Sequence, residues 1–230
     1  MPPLPSIIAH RGASGYALEN SLAAFSRARA LGADGVELDV HATRDGVFVV
    51  HHDAELPGAG PIRDLTATDV GRLRLANGEV VPTLQNSLVT LGGMEVWVEV
   101  KHLASDHDVK FLATLAAGPT PEKYAVHSFD HRIIERLGSV RPALRRGALS
   151  ASYLLDPVTV LRGCGGDTLW QETSLTDAAL VQQLHGAGFK IITWTTNAEA
   201  EVERVARLGV DGICGNFPDR IRAVAERAVS

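Results

Sequence analysis

Short apolar runs alternate with amphipathic stretches along almost the whole chain. The apolar runs predict strands over residues 6–10, 35–40, 47–51, 95–100, 124–128, 144–149, 168–171, 189–195 and 211–214. The amphipathic stretches predict helices over residues 20–31, 108–117, 130–138, 176–187, 199–208 and 218–228. Because strands and helices alternate, the sheet should be parallel. This many units predicts an α/β fold, a TIM-like (β/α)8 barrel.

Local signals mark the ends of several predicted helices. Asp130 and Thr176 are candidate N-caps, and Gly138, Gly188 and Gly209 are candidate terminators. We therefore expect helices to begin after the first two residues and to end at the three glycines.

Nine predicted strands are one too many for an eight-stranded barrel. The connection at residues 44–46 is too short for a helical crossover, which takes about a dozen residues. We therefore expect residues 47–51 to pair irregularly or to lie outside the barrel count. Residues 54–86 are rich in Pro, Gly and Thr and predict a small irregular insertion over one barrel rim, with a helix resuming near residues 82–84.

Composition limits the domain organisation and the classes of partner. The 230 residues are 45% hydrophobic, and no Pro/Gly/Ser-rich linker divides them, so we expect one domain over residues 1–230. The net charge of −5 predicts no general nucleic-acid binding, and an anionic ligand would need a local basic cluster. Cys164 and Cys214 lack CxxC spacing and are expected to be reduced.

The start of the chain and its hydropathy bear on localisation. Residues 1–12 have no basic segment followed by a long apolar one, and no apolar run approaches 18 residues. We therefore expect a soluble, cytoplasmic protein with no stable membrane insertion.

Carboxylates and cations occur on strands that are otherwise apolar. Glu37 and Asp39 are two residues apart and share one strand face, as do Glu99 and Lys101. Three carboxylates brought together repel one another strongly, and a divalent cation would remove that repulsion. All-oxygen ligation suits Mg²⁺ or Ca²⁺ better than zinc. A buried ion-pair network of these carboxylates with Lys101 and Arg11 is the alternative.

Two histidines also follow apolar strands. His10 precedes Arg11, and His52 precedes Asp53, whereas the adjacent His51 should face the opposite way. Two histidines, a cation and an arginine suit a phosphodiester, because positive charge stabilises the anionic transition state and the imidazoles transfer protons. Satisfied core histidines are the alternative interpretation.

The chain resembles the glycerophosphodiester phosphodiesterase family, one of the phosphatidylinositol phospholipase C-like phosphodiesterases. The shared motifs, in family order and over nearly the whole chain, are HRG at 10–12, EN at 19–20, GADGVELDV at 32–40, TRDG at 43–46, HHD at 51–53, PTL at 82–84, VEVK at 98–101, HSF at 127–129, TWTTN at 193–197 and DGICGNFPD at 211–219. The resemblance implies metal-dependent hydrolysis of glycerophosphodiesters to glycerol 3-phosphate and an alcohol, and the compact segment at 54–86, which lacks a long apolar run, favours small water-soluble substrates.

The resemblance also assigns roles. It implies His10 and His52 as the catalytic pair. It implies metal ligation by Glu37, Asp39 and Glu99. It implies phosphate binding by Arg11 and Lys101, and an apolar wall for the glycerol end formed by Trp194, which is otherwise a core aromatic. Glu19-Asn20 match the family's PEN element as supporting or helix-starting residues, although Leu18 and Ser21 replace its usual proline and threonine.

Other possibilities remain open from the sequence. Glu172, at the end of a strand, is a candidate pocket residue, with a surface or helix-cap role as the alternative. A barrel isomerase or lyase acting on a phosphorylated metabolite would use the glycine loops at 164–166 and 214–216 as phosphate cradles, but it leaves the histidines and carboxylates unexplained. A catalytically inactive binding module is the third reading. A zinc amidohydrolase is disfavoured because no HxH motif ends the first strand. The alcohol, the choice of Mg²⁺ or Ca²⁺, the acid and base assignment, the first nucleophile and the oligomeric state stay undecided.

Overall fold

A computed structural model describes residues 2–230 of the chain. The strands in this range are β1 (Ser6–His10), β2 (Gly35–Ala42), β3 (Phe48–Val50), β4 (Glu55–Leu56), β5 (Gly60–Pro61), β6 (Glu95–Val100), β7 (Tyr124–Ser128), β8 (Arg145–Ser150), β9 (Thr168–Glu172), β10 (Lys190–Trp194) and β11 (Gly212–Gly215). The α-helices are α1 (Leu22–Ala30), α2 (Ala67–Gly71), α3 (Leu84–Leu91), α4 (Asp108–Ala116), α5 (His131–Val140), α6 (Pro157–Cys164), α7 (Ala178–Gly186), α8 (Glu199–Leu208) and α9 (Pro218–Val229).

Eight parallel strands of the described chain close into a barrel, which confirms the predicted fold. Their order is β1-β11-β10-β9-β8-β7-β6-β2, and β1 pairs with β2 to complete the ring. The register places His10 beside Glu37 across the closing pair. The carboxyl ends of all eight strands therefore meet at one face, where barrel enzymes carry their sites.

The ninth predicted strand lies outside the barrel count, as expected. β3 runs antiparallel to β2, with His41 beside Val49, and a tight turn joins the two strands. That turn is held by Thr43, whose amide N–H bonds to the carbonyl of Val47 at 2.8 Å. The β2–β3 hairpin extends beyond the barrel rim, and the chain passes through it between Asp39 and His52.

The alternating side chains of the barrel strands form two apolar layers. Odd and even positions separate because successive strand residues point to opposite faces. The outer layer packs against the helices and includes Val36, Leu38 and Val98. The inner layer is a separate cluster made of Ile8, Trp97, Ala125, Leu149, Trp170, Ile192 and Cys214. This inner layer fills the barrel beneath the polar residues at the carboxyl ends.

The insertion has a small apolar core of its own. It contains the β4–β5 hairpin and α2, and its buried side chains are Val49, Leu56, Ile62, Val70 and Val81. The irregular segment ends at Thr83, whose hydroxyl accepts from the Asn86 amide and caps α3. The helix therefore resumes at Leu84, as predicted, and the insertion ends before residue 84 rather than at residue 86.

Helix ends follow the predicted signals at some positions and not at others. Asp130 caps α5, and Gly209 ends α8 with a left-handed backbone, as predicted. Thr176 was the wrong N-cap, because the Asp177 carboxylate accepts from the Leu180 amide instead. Gly138 does not end α5, which continues to Val140.

Close packing against Arg146 accounts for the glycine at position 138 instead. It lies inside α5, and a Cβ at this position would approach the Arg146 guanidinium carbon to 2.6 Å. Helix α6 was not predicted, although Asp156 caps it, Pro157 begins it and Gly165 ends it in the left-handed region. These are ordinary helix-start and helix-stop signals.

Two further findings concern thiols and hydropathy. Cys164 and Cys214 are both free and buried, as expected from their spacing. Within residues 2–230, no helix combines the length and hydropathy that crossing a bilayer requires.

Candidate active site

Three buried carboxylates meet at the carboxyl ends of β2 and β6. The parallel register pairs Asp39 directly with Glu99, and Glu37 lies one inward-facing position deeper. One carboxylate oxygen from each residue lies within 4.8 Å of the others, and all three side chains are buried. The sequence prediction that Glu37, Asp39 and Glu99 converge is confirmed.

Two cations lie against this cluster. The Nζ atom of Lys101 lies 2.9 Å from Asp39 Oδ1 and 2.7 Å from Glu99 Oε1. The Nε atom of Arg11 lies 3.1 Å from Asp39 Oδ2, and the Arg11 backbone amide donates to Glu37. The ion-pair network expected as the alternative to a metal site is therefore present. In this network two cations, Arg11 and Lys101, face the three carboxylates of the cluster.

The pKa values of the three carboxyl groups diverge. Burial, reinforced by the neighbouring Asp39 charge, raises the pKa of Glu37 to about 7. Burial also raises the pKa of Glu99 to about 7, against the opposing effect of Lys101. Burial alone would raise the pKa of Asp39, but Lys101 and Arg11 together lower it to about 2. At neutral pH Asp39 is therefore ionised, whereas Glu37 and Glu99 are each about half protonated, and full ionisation of all three would exceed the charge of Arg11 and Lys101.

This donor set fits a hard divalent cation. Asp39 Oδ1 is buried against the Lys101 ammonium at 2.9 Å, and Glu99 shares that same ammonium. Three buried carboxylates against two cations are costly to ionise together unless a further cation binds. Three carboxylate oxygens with no nitrogen or sulfur donor suit Mg²⁺ or Ca²⁺.

Asn20 supports the cluster from below. Its amide nitrogen donates to Asp39 Oδ2 at 2.8 Å, and its amide oxygen accepts from the Asp39 backbone N–H at 3.3 Å. Glu19, the preceding residue, accepts from Arg11 Nη1 at 2.9 Å. Asn20 and Arg11 both have left-handed backbone conformations, with φ of 54° and 56°. The pair at 19–20 therefore acts as the supporting element predicted from the sequence.

Each of the two candidate histidines has a hydrogen-bond partner on Nδ1. His10 Nδ1 lies 2.9 Å from the amide oxygen of Asn216, and His52 Nδ1 lies 2.8 Å from Asp53 Oδ1. Because both partners are acceptors, each imidazole carries its proton on Nδ1, and Nε2 is left for chemistry. His51 instead bonds through Nδ1 to the Asp53 carbonyl.

A cavity of about 120 Å³ connects these groups. It is lined by His10, Arg11, Glu37, His52, Glu99, Lys101, His127, Phe129, Leu149, Trp170 and Trp194. A second cavity of about 460 Å³ opens beside the insertion and is lined by residues that include His41, Asp53, Glu55, Arg63 and His102. His52 and Lys101 line both cavities, so the two spaces meet at these residues.

The comparisons with known proteins agree with this arrangement. A model of the glycerophosphoryl diester phosphodiesterase family matches residues 10–220. The chain belongs to this family. A glycerophosphodiester phosphodiesterase from Caldanaerobacter subterraneus is 30% identical over 231 residues, which cover 94% of this chain and 95% of the relative.

Solved structures show the same barrel. A phosphodiesterase from Oleispira antarctica, determined in complex with its product sn-glycerol 3-phosphate, has 24% identity and a TM-score of 0.91, with 97% of each chain covered. A glycerophosphodiester phosphodiesterase from Agrobacterium tumefaciens has 26% identity and a TM-score of 0.83, covering 95% of this chain and 99% of that one. The family resemblance inferred from the motifs is confirmed.

Most of the site residues predicted for a member of this phosphodiesterase family lie together. His10, Arg11, His52, Lys101 and Trp194 line the smaller cavity with Glu37 and Glu99, and Asp39 lies buried beside them. Glu172 is not brought to either cavity in residues 2–230; its carboxylate accepts from the Ser174 hydroxyl.

The glycine loops of the rival isomerase reading do not form a shared cradle. Gly165 and Gly166 precede β9, at the amino end of the barrel and away from the carboxylates. Gly165 ends α6, and its carbonyl accepts from Arg146. Gly215 is packed tightly, since a Cβ there would lie 2.2 Å from the Thr196 carbonyl oxygen. Turn geometry and close packing explain these glycines.

Sequence reasoning assigned no role to four residues that shape the family site. His127 and Trp170 face the barrel interior, and Phe129 packs edge-on against Trp194 with ring centroids 5.5 Å apart. Asn216 holds His10 from a position far along the chain. The period-2 pattern of β7 and β9 marks His127 and Trp170 as inward-facing, and Asn216 lies in the shared motif at 211–219, although no local pattern indicates its contact with His10.

Proposed function

We propose that this protein hydrolyses glycerophosphodiesters to glycerol 3-phosphate and an alcohol, with Mg²⁺ or Ca²⁺ as its cofactor. One observation carries the proposal: two histidines, two cations and a carboxylate cluster line or adjoin one small cavity. A phosphodiester needs positive charge at its anionic centre and a proton donor for its leaving group.

The charged residues divide between phosphate and cation. The guanidinium of Arg11 and the ammonium of Lys101 bind the phosphate oxygens. Glu37, Asp39 and Glu99 hold the divalent cation. When bound, that cation supplies Lewis-acid stabilisation of the charge that develops on phosphorus-bound oxygens.

The two cavities suggest which half of the substrate lies where. The smaller cavity carries the Phe129–Trp194 aromatic pair and takes the glycerol half, with Trp194 as its apolar wall. The larger cavity beside the insertion takes the alcohol half. The phosphate lies between them, next to Lys101 and His52, which line both spaces.

This placement assigns the proton transfers. His52 lies next to the alcohol half, and the Asp53 carboxylate bonded to its Nδ1 orients the ring, so His52 protonates the departing oxygen. His10 lines the smaller cavity and has a neutral amide as its partner, so it accepts the proton of the attacking hydroxyl. The identified relatives support the reaction class, since the Oleispira enzyme was determined with sn-glycerol 3-phosphate as its product.

The test is a panel of glycerophosphodiesters incubated with the protein and with Mg²⁺, Ca²⁺ or excess EDTA. We expect glycerol 3-phosphate to be released in the presence of a cation and not after chelation. Release that persists in metal-free protein, checked by elemental analysis, would refute the metal requirement. No release from any diester with either cation would refute the activity and favour an inactive binding module.

A further inference from the structure

The floor of the smaller cavity carries uncharged polar groups that no part of the chain uses. His127 is 1% exposed, and neither of its ring nitrogens has a hydrogen-bond partner in residues 2–230. Trp170 is also 1% exposed, and its indole N–H is likewise without a partner in the described chain. Buried polar groups are nearly always bonded, and each unpaired one costs about 1–3 kcal/mol. Two such groups at one cavity indicate a ligand.

The barrel holds these two side chains rigidly. His127 lies on β7 and Trp170 on β9, with ring centroids 4.2 Å apart. Gly147 lies between them on β8, beside His127 in register. A Cβ at Gly147 would lie 3.0 Å from Trp170 Cδ1 and 3.2 Å from Trp97 Cζ3, so the glycine makes room for the rings. Sites built on strands are more exact than sites built on loops.

Two further kinds of group line this cavity. Arg11 and Lys101 supply positive charge, and Phe129 and Trp194 supply an apolar surface. The cavity volume of about 120 Å³ leaves room for several water-sized groups. The matching ligand is a small molecule with an anionic end, a short carbon chain and at least one hydroxyl that reaches the floor.

We propose that His127 and Trp170 bind a hydroxyl of the substrate's three-carbon alcohol, and that this contact selects phosphate esters of polyols over esters of simple alcohols. The inference rests on the proposed function and extends it to two recognition residues. A neutral imidazole both donates and accepts, and so does a hydroxyl, so the pair is chemically matched. The indole N–H of Trp170 is a further donor at the same cavity.

A purely structural role for His127 predicts a different result from hydroxyl binding. Its Nε2 lies 3.8 Å from Glu37 Oε1, too far for a hydrogen bond but close enough to steady that carboxylate. If His127 served only to hold the Glu37 carboxylate in place, replacing His127 would weaken the binding of every phosphate ligand by the same factor. A hydroxyl-binding role changes only the ligands that carry the hydroxyl.

The test compares sn-glycerol 3-phosphate with n-propyl phosphate, which has the same carbon chain without hydroxyls. Both are titrated by calorimetry into the wild-type protein with Mg²⁺ or Ca²⁺ present. We expect glycerol 3-phosphate to bind about 10- to 100-fold more tightly, since the analogue leaves buried polar groups unpaired. His127→Phe should reduce this ratio to below about threefold and leave the propyl phosphate affinity unchanged.

Three further variants sharpen the result. His127→Gln retains a donor and an acceptor and should restore part of the ratio. Trp170→Phe removes the second donor and should reduce the ratio by about three- to tenfold. Trp97→Phe is the matched control: its ring packs on His127 at 5.7 Å, but its indole N–H is already bonded to Glu95 on the opposite side. That variant should keep the wild-type ratio.

The outcomes separate this inference from the function on which it rests. Equal affinity of the wild type for both ligands overturns hydroxyl recognition, while tight binding of both still supports a phosphate site. An unchanged ratio in folded His127→Phe and Trp170→Phe overturns the assignment to these residues. If His127→Phe fails to fold, Trp170→Phe and the wild-type ratio decide. Binding of neither ligand overturns the proposed function and this inference with it.

Discussion

The Nδ1 atom of His10 lies 2.9 Å from the amide oxygen of Asn216, although 206 positions separate the two residues in the chain. His10 ends the first barrel strand, and Asn216 follows the last one. β1 and β11 are neighbours in the closed barrel and pair in parallel. Asn216 is itself fixed, because its backbone N–H donates to the Asn197 side chain at 2.8 Å. Closure of the barrel therefore also orients a catalytic candidate.

Removing the Asn216 amide should slow the reaction without weakening substrate binding. In Asn216→Leu, His10 keeps its position on β1 but loses the acceptor that fixes its tautomer and ring orientation. We expect kcat to fall about 5- to 10-fold, the value of one neutral hydrogen bond, with KM nearly unchanged. Steady-state kinetics on glycerophosphodiesters measures both constants.

The control for this change is Asn86→Ala, on the exposed side of α3 and away from both cavities. It should leave kcat and KM at their wild-type values. A raised KM in Asn216→Leu, with kcat unchanged, would contradict an orienting role for the amide.

The barrel was predictable because its determinants are local and periodic. The two-residue spacing of Glu37 and Asp39 specifies one strand face, and the parallel sheet brings that face beside Glu99. The short turn before β3 excluded a crossover. These conclusions need only strand periodicity and connection length.

The remaining parts depend on contacts between distant segments. The role proposed for His127 rests on its ring having no hydrogen-bond partner within residues 2–230, and that depends on the positions of β6, β8 and β9 around it. Gly138 has the sequence signature of a helix terminator, but its packing against Arg146 decided its role. At the start of α7 the choice was local, because Asp177 accepts from the Leu180 amide while the Thr176 hydroxyl donates to the Glu172 carbonyl.

Two isosteric substitutions in the carboxylate cluster should change stability in opposite directions. At pH 8 and without metal, Glu37 is ionised in a buried site that raises its pKa to about 7, so Glu37→Gln should raise the melting temperature. Asp39→Asn should lower it, because Arg11 and Lys101 lose the carboxylate whose pKa they hold near 2. We expect about 1–3 kcal/mol in each direction.

Both variants should lose affinity for Mg²⁺ and Ca²⁺, since each removes a charged ligand. Differential scanning fluorimetry of EDTA-treated protein measures the stability change, and isothermal titration calorimetry measures the affinity. Destabilisation of similar size in both variants would show that the two carboxylates do not differ in the way their pKa values indicate.

Stabilisation by added metal should increase between pH 5 and pH 8. Glu37 and Glu99 have folded pKa values near 7, above the ordinary 4.5, so the unfolded chain releases these protons first. The unfolded state then binds fewer protons across pH 4.5–7, and stability falls as pH rises through that window. Asp39 contributes no change there, because its folded pKa is about 2.

A divalent cation offsets this loss and competes with fewer protons at high pH. We therefore expect saturating Mg²⁺ or Ca²⁺ to raise the melting temperature more at pH 8 than at pH 5. Glu37→Gln/Glu99→Gln is the control, since it has no raised carboxyl pKa to relieve and should show little metal response at either pH. A wild-type metal response that is equal at both values would exclude this linkage.

The two histidines should be separable by the leaving group. We expect His10→Ala and His52→Ala each to lower kcat by about 10²–10⁴ on natural diesters, the usual range for general acid–base catalysis. The double variant should lose much less than the product of the two, because groups acting as a unit are not additive. His51→Ala is the matched control: its ring bonds the Asp53 carbonyl, and it should stay within about threefold of wild type.

A glycerol phosphodiester of p-nitrophenol then assigns the acid and the base. Departure of p-nitrophenolate needs no proton, so the variant that lacks the acid should recover activity and the variant that lacks the base should stay impaired. Because His52 lines the larger cavity and pairs with Asp53, we expect His52→Ala to recover. Recovery of His10→Ala instead would exchange the two roles and place the alcohol half in the smaller cavity. Equal recovery of both variants would mean that neither imidazole is the dedicated acid.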